Sequence, residues 1–191
     1  MLLSYWTALS NLLNQIEIRK VAMPELEHLR DWSTESVNLA IREDNQVIYV
    51  ERLMTDKSLG FRNHIGKRAW VHSTALGKAI LSHLPPQDSN AILESYDLVA
   101  FTPRTIIDVK TLTDQFITFR KQGFAIEREE EELGGLCIAA PLYDHTAKPI
   151  GAISVSFPIS RIDEHMIPTY GEKISASAKR ISEKLGYIPE I

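Results

Sequence analysis

Two serines on one predicted strand are the side chains that point most directly to chemistry. The run Ile150 to Phe157 is apolar apart from Ser154 and Ser156, and the period-two geometry of a strand directs both hydroxyls to the same face. A buried hydroxyl without a hydrogen-bond partner destabilises a protein by about 1–3 kcal/mol. Either backbone groups or a polar ligand must therefore satisfy these serines, and the strand is a candidate wall of a small-molecule pocket.

An acidic run and the single cysteine precede these serines in the same unit. Glu127 follows a short strand-like segment, so its carboxylate can reach the sheet interior and accept hydrogen bonds from a ligand, whereas Glu129 to Glu132 are expected to form a solvated turn. Cys137 opens an apolar strand and is a small buried hydrophobe, a metal ligand or a nucleophile. A catalytic thiol needs a group that lowers its pKa, and only the distant His72 is a candidate for that role.

The segment Ser73 to Lys78 is the start of a predicted helix. Backbone N–H groups in a first helical turn lack internal partners and lie at the positive end of the helix dipole, so an anion can bind there. Ser73 stands at the N-cap position. In the simpler alternative, this serine only caps the helix and the helix start binds nothing.

Composition and charge exclude several classes of protein. The chain has 191 residues, 44% of them hydrophobic, one cysteine and a net charge of −4. It is long enough for one globular domain, has no disulfide framework and no apolar run that could span a bilayer, so a cytoplasmic location without membrane contact is expected. The negative charge argues against a free-standing nucleic-acid binder. Neither metal-ligand spacing nor a phosphate-binding loop occurs, so neither metal nor cofactor is expected.

Hydrophobic periodicity predicts the elements that hold these side chains. Apolar residues recur at helical spacing from Leu2 to Ile16 and again, after a shift in phase, from Val21 to Leu29, with Pro24 in the first turn of the second helix or kinking it. Further predicted elements are a hairpin at 36–53, an extended piece at 59–64, helices at 74–82, up to 94 and between 108 and 123, a hairpin at 136–157 and a helix at 163–185. This order predicts an α+β domain, an antiparallel sheet with helices segregated on one face or at its ends.

Four segments in this order resemble the C-terminal effector-binding domain of the isocitrate lyase regulator (IclR) family of bacterial transcription factors. They read VNLAIREDNQVIYVERL, IGKRAWVHSTALGKAIL, GFAIEREEEELGGLCIAAPLYD and IGAISVSFPISRI. The resemblance implies a GAF-like fold, an antiparallel sheet flanked by helices, with an N-terminal linker helix. It implies a linker helix over residues 1–20 and an effector-binding domain over 21–191, without the family's N-terminal winged helix-turn-helix, so the chain is expected to be a fragment.

The resemblance also implies a pocket for a small organic acid, such as a keto acid, a sugar acid or an aromatic acid. Carried onto this sequence, the ligand-binding residues are Ala75, Leu76, Glu127, Cys137, Ser154 and Ser156. The expected pocket-lining residues are Phe61, Ala69, Trp70 and Leu136. The family resemblance and the residue types therefore agree, because the residues alone also suggest an anion at the helix start and a polar ligand at the serines.

The sequence therefore predicts the effector-binding and oligomerisation domain of a cytoplasmic transcriptional regulator, sensing a keto acid or sugar acid. We expect a homodimer or homotetramer that contacts DNA only through the absent domain and has no catalytic residue. One alternative is a domain that only assembles subunits and binds no ligand. The other is a small hydrolase that uses Cys137 or Glu127.

Overall fold

Within the residues that the structure describes, an antiparallel sheet of six strands forms the centre of the fold. The computed structural model describes the backbone of residues 2–56 and 64–189, and the side chains of residues 16–56 and 64–189. The strands are β1 Ser36–Glu43, β2 Gln46–Leu53, β3 Arg68–Trp70, β4 Ala125–Arg128, β5 Gly135–Tyr143 and β6 Pro149–Pro158. The helices are α1 Leu2–Ser33, α2 Ala75–Ser82, α3 Pro86–Glu94, α4 Val109–Gln122 and α5 Ile167–Lys184, with a 3₁₀ turn at Glu164–Met166. The sheet order is β3-β2-β1-β6-β5-β4, and every neighbouring pair is antiparallel, so the predicted α+β class is confirmed.

The first helix is continuous through Pro24, which corrects the prediction of two helices with a break or kink between them. The proline removes one backbone donor from the helix interior. The apolar face nevertheless continues across it, because Ile18, Ala22, Leu26 and Leu29 lie at helical spacing and are all buried in one cluster. Packing of this face outweighs the missing hydrogen bond.

Helices cover both faces of the sheet, which corrects the expectation that they lie on one face or at its ends. α1 and α5 share a buried cluster with one face, and α2 and α4 share a second cluster with the other. The physical reason lies in the strands, whose alternate side chains are buried on both sides. In β6, for example, Ile153 and Val155 belong to the first cluster, whereas Ala152 belongs to the second.

The start of α2 is packed more tightly than its sequence suggested. Thr74, rather than the predicted Ser73, caps the helix, since its hydroxyl oxygen accepts a hydrogen bond from the Gly77 N–H at 3.1 Å. Ser73 lies one residue before the cap, and its hydroxyl donates to the Glu131 carboxylate at 2.7 Å. A side chain at position 77 would collide with the backbone of Val71, so glycine permits this close approach.

Most other predicted boundaries are confirmed, one is revised, and one falls largely on residues that the structure does not describe. Asp108 and Gly123 cap the two ends of α4 as expected. The extended piece predicted at 59–64 falls largely outside the described residues, and the third strand is the later β3, which pairs with β2. The last helix begins with the 3₁₀ turn after Asp163 and ends before Gly186, whose φ is +90°.

Candidate functional site

One small cavity brings together all six residues predicted to bind a ligand. It lies on the sheet face that α2 covers, between the start of α2 and strands β4, β5 and β6. The predicted residues that line it are Ala75, Leu76, Glu127, Cys137, Ser154 and Ser156. Its other lining residues are Tyr49, Thr74, Glu131, Glu132 and Gly135.

Strand register explains why residues far apart in sequence meet here. Glu127 on β4 is paired with Cys137 on β5, and Cys137 is paired with Ser156 on β6. Ser154 is two residues before Ser156 on the same strand, so its side chain faces the same side of the sheet. One row across three strands therefore presents a carboxyl group, a thiol and a hydroxyl to the cavity.

The first turn of α2 contributes main-chain donors. The N–H of Gly77 is capped by Thr74 Oγ1, and the N–H of Lys78 donates to the Thr74 carbonyl at 3.0 Å. The two preceding N–H groups, those of Ala75 and Leu76, come before the first intrahelical hydrogen bond and have no acceptor within the described residues. Both residues line the cavity, so this helix start can present its N–H groups to a bound anion.

Glu127 is buried, with 3% of its surface exposed, and its carboxyl group organises the turn that follows. Its Oε1 accepts a short hydrogen bond from the N–H of Glu130 and a second, at 3.2 Å, from the N–H of Glu131. Burial raises the pKa of Glu127 to about 7, and these two hydrogen bonds act against that rise. At neutral pH both the neutral acid and the carboxylate are therefore populated.

Cys137 lacks the surroundings of a nucleophile. Its thiol donates to Ser156 Oγ at 3.3 Å, and burial together with the nearby Glu127 carboxylate raises its pKa well above the ordinary value. His72 cannot serve as its base, because its Nε2 donates to the Val99 carbonyl and its Nδ1 accepts from the Tyr96 hydroxyl. The thiol form is favoured, and it acts as a hydrogen-bond donor to Ser156.

The acidic turn is more deeply buried than predicted. Glu130 is 5% exposed and forms a short ion pair with Lys78, which is fully buried; Lys78 also donates to Gln115 Oε1 at 3.3 Å. Burial lowers the pKa of Lys78 and raises that of Glu130, and the ion pair opposes both shifts. The expectation that Glu129 to Glu132 form a solvated turn is therefore corrected for Glu130. Its sequence signal was the single lysine inside the otherwise apolar helix α2.

Glu131 also departs from that expectation, because it closes one side of the cavity. Its carboxylate accepts from the Ser73 hydroxyl at 2.7 Å and from the Lys67 ammonium group at 3.3 Å. The enclosed volume is about 30 Å³, which is room for one or two water molecules. Glu129 is half-buried and pairs with Arg104 at 2.8 Å, whereas Glu132 is exposed as predicted.

The expected pocket-lining residues lie elsewhere or outside the described part of the chain. Phe61 is outside the described residues. Leu136 is corrected to the opposite sheet face, because it precedes the cavity-facing Cys137 by one position, and it packs in the cluster with α1 and α5. Ala69 is buried in the cluster beneath α2, and Trp70 stacks on Tyr96 at a ring distance of 4.8 Å; neither lines the cavity.

Asn38 is a polar residue of the site that sequence reasoning missed. It lies on β1 opposite Ser154 and is 1% exposed. Its amide nitrogen donates to Ser154 Oγ at 3.2 Å and to Ser156 Oγ at 3.1 Å. The alternation of β1 had placed it only as a polar position between apolar neighbours, so nothing local distinguished it from a solvent-facing asparagine.

Neither a metal centre nor a membrane segment is found in the described part of the chain. Among residues 16–56 and 64–189, no three histidine, cysteine or acidic side chains form a cluster suited to an ion. The helices described are too short or too polar to cross a bilayer.

Helices on both faces of this antiparallel sheet define an α+β domain that is known from solved structures. The crystal structure of Thermotoga maritima IclR matches with a TM-score of 0.88 and 29% identity, covering 93% of this chain and 72% of that one. The sequence profile of the bacterial transcriptional regulator IclR C-terminal domain matches residues 10–183. The chain belongs to the IclR family of bacterial transcriptional regulators, of which it is a C-terminal domain.

Curated relatives are transcriptional regulators rather than enzymes. The HTH-type transcriptional regulator XynR of Escherichia coli K12 is 31% identical over 172 residues, covering 90% of this chain and 68% of XynR. The HTH-type transcriptional repressor AllR of the same strain is 32% identical over 170 residues, covering 89% and 63%. The chain thus spans about two thirds of the length of these relatives.

A further neighbour shares the fold alone. An IclR homologue from Microbacterium hydrocarbonoxydans in complex with 4-hydroxybenzoate has a TM-score of 0.79 at 24% identity, covering 90% of this chain and 69% of that one. Domains of this fold therefore include one that has been crystallised with an aromatic acid.

Proposed function

We propose that the chain is the effector-binding and oligomerisation domain of a cytoplasmic transcriptional regulator, and that its effector is a small organic acid, a keto acid or sugar acid. The observation that carries the proposal is the convergence of six residues, predicted from sequence, on one cavity. The names of XynR and AllR support a DNA-binding segment elsewhere in the whole protein. Ligand would act by binding one subunit arrangement better than another.

The polar groups at the cavity suit a carboxylate. The N–H groups of Ala75 and Leu76 lie at the positive end of α2, where anions bind favourably. Ser154 and Ser156 add hydroxyl groups on the opposite wall. A protonated Glu127 adds a further donor, and its pKa near 7 makes that form accessible at neutral pH.

Entry of an acid requires movement of the side chains that close the cavity. Pockets for small molecules usually enclose about 300–1,000 Å³, whereas this one encloses about 30 Å³. Glu131 is the side chain best placed to move, because it is half-buried and held by Ser73 and Lys67 at its edge. An incoming carboxylate would take the place of the Glu131 carboxylate, so the net charge of the site would stay the same.

Thermal unfolding with added acids tests the proposal. Pyruvate, gluconate and 4-hydroxybenzoate represent keto, sugar and aromatic acids. A bound acid at about 100 times its Kd should add about 2.7 kcal/mol to the free energy of unfolding and raise the melting temperature. The shift should be lost in the double variant Ser154→Ala/Ser156→Ala and kept in the control Ser160→Ala, whose side chain is exposed.

The closed cavity favours a second candidate, a domain that only assembles subunits. In that case the melting temperature would not respond to any acid of a wider panel, while sedimentation velocity would still show an oligomer. A keto, sugar or aromatic acid that raises the melting temperature only when both serines are present excludes this candidate.

A further inference from the structure

Asn38 lies behind the two serines and determines what they offer to the cavity. Both of its amide N–H groups are used, one toward Ser154 Oγ and one toward Ser156 Oγ. An amide nitrogen can only donate, so both serine oxygens accept. Ser156 Oγ also accepts from the thiol of Cys137 at 3.3 Å.

The serine hydroxyl protons are therefore directed away from Asn38. Each hydroxyl has one proton to donate, and neither Ser154 nor Ser156 donates to an acceptor within residues 16–56 and 64–189. Both serines line the cavity. Both O–H groups therefore point into the cavity, where a ligand or water can accept from them.

The opposite orientation of the Asn38 amide is less favourable. In the observed orientation, the buried Oδ1 is the one atom of this amide without a partner in the described residues. A rotated amide would let Oδ1 accept from both serine hydroxyls, but it would turn both N–H groups toward the buried position where Oδ1 now has no partner. In the observed orientation the serine protons face a cavity with room for one or two water molecules as acceptors, so Oδ1 is the group of this network left unmet.

We propose that Asn38 is a positioning residue that turns Ser154 and Ser156 into a pair of donors, so that this wall selects an effector presenting acceptor-only oxygens, a carboxylate. The choice of an acid as the ligand rests on the proposed function. The direction of the two hydroxyl groups is independent of that function. Ser156 Oγ already accepts from both Asn38 and Cys137, so the N–H group of an effector such as a primary amide would find no free lone pair at this hydroxyl. The wall therefore discriminates between an acid and its amide.

Binding measurements test the selection. Calorimetry compares pyruvate, gluconate and 4-hydroxybenzoate with their primary amides in the wild type, Asn38→Ala and Asn38→Asp. We expect Asn38→Ala to weaken binding of the acid about tenfold and to reduce the preference for acid over amide. Asn38→Asp, whose carboxylate attracts both hydroxyl protons, should weaken acid binding further.

A double-mutant cycle separates this role from a structural one. In the Ser154→Ala/Ser156→Ala background, titrated at acid concentrations high enough to reach its weaker affinity, Asn38→Ala should change acid affinity less than twofold, because the hydroxyls through which Asn38 acts are absent. If Asn38→Ala weakens binding equally in both backgrounds, or leaves the acid-to-amide ratio unchanged, the positioning role is refuted. Thermal unfolding of each variant confirms that the domain still folds.

Neutron diffraction of the ligand-free protein decides the direction of the hydroxyls independently. Deuterium on Ser154 Oγ and Ser156 Oγ should point into the cavity, with both Asn38 Nδ2 deuterium atoms directed at the serine oxygens. Serine deuterium atoms directed at Asn38 would overturn the inference. If no acid of the panel binds the wild type, the proposed effector function fails, and the neutron result alone decides whether Asn38 orients the serines.

Discussion

At the scale of single residues, Glu127 makes both stability and ligand binding depend on pH. Its pKa is about 7 in the folded protein and 4.5 as an ordinary glutamate. Between these values the folded state holds a proton that the unfolded state has released, so rising pH lowers the free energy of unfolding. The difference between the two pKa values corresponds to a loss of about 3 kcal/mol in the free energy of unfolding, and this loss is complete above pH 7.

Glu127→Gln should remove this dependence. The glutamine carbonyl can still accept from the N–H groups of Glu130 and Glu131, but it does not titrate. Urea unfolding is measured at pH 5, 6, 7 and 8. The free energy of unfolding of the variant should rise relative to that of the wild type as pH rises, by up to about 3 kcal/mol. The exposed Glu94→Gln is the matched control. A difference that is constant over this range would mean that Glu127 stays ionised.

The proton on Glu127 should also favour binding of an organic acid. Neutral Glu127 donates to a carboxylate, whereas ionised Glu127 repels it, so the affinity for a bound acid should fall as pH rises through about 7. In Glu127→Gln this fall should be absent. The comparison uses the same acids as the thermal unfolding test.

Residues whose chemistry is visible within one element were predicted from sequence, and residues defined by distant partners were not. Ser154 and Ser156 stood out because they interrupt an apolar strand at period two. Asn38 did not stand out, and Lys78 was visible only as a lysine in an apolar helix without a known partner, because the partners lie 52 residues away for Lys78 and 116 or 118 residues away for Asn38. Only the register of β1 against β6 brings Asn38 to the serines.

At the scale of elements, the ion pair between Lys78 and Glu130 joins α2 to the acidic turn. Glu130 Oε2 also accepts from the Ile106 N–H at 3.3 Å, and its carbonyl accepts from the Thr105 hydroxyl at 2.6 Å. The loop before α4 is thereby held against the same turn. The turn that shapes one side of the cavity is thus fixed by two other elements.

Lys78→Met should destabilise the domain strongly, because it leaves Glu130 buried without its cation. The expected loss is about 3–5 kcal/mol, whereas Lys78→Met/Glu130→Gln should recover much of it. The control Lys110→Met breaks an exposed pair with Asp114 in α4 and should change stability by no more than about 0.5 kcal/mol. Denaturant unfolding measures all three. Equal effects of the two lysine variants would contradict a buried ion pair.

Element types were predictable because periodicity and caps are local, as Asp108 and Gly123 show for α4. β3 was missed because three residues are too few for a period to appear. Pro24 was read as a boundary, since the packing of α1 against the sheet and α5, which maintains the helix, is not a local signal. Coverage of both sheet faces likewise follows from tertiary packing.

At the scale of the whole molecule, α1 is part of the domain core rather than an appendage from Ile18 onward. Leu26 is fully buried in the cluster that α1 and α5 form with the sheet. Arg180 on α5 further binds Glu25 on α1 through two hydrogen bonds of 2.7 and 2.9 Å. The predicted division at residue 20 coincides with no break in the helix and stays a prediction.

Leu26→Ala should therefore destabilise the entire domain by about 2–5 kcal/mol, because it leaves a cavity in the shared core. Ile117→Ala, on the exposed face of α4, is the control and should have little effect. Thermal unfolding followed by circular dichroism and by tryptophan fluorescence should give coincident transitions in both variants. A small loss for Leu26→Ala would show that α1 unfolds separately.

The direct passage from α1 into β1 has a mechanical consequence. The helix of 32 residues is about 48 Å long, and only four residues separate its last residue, Ser33, from Asn38 at the cavity. Ile18, Leu26 and Leu29 pack on the same sheet, so this half of α1 cannot pivot without disturbing the core. A shift of β1 around a bound acid would therefore move α1 together with the sheet, and the helix would carry that shift to its N-terminal end.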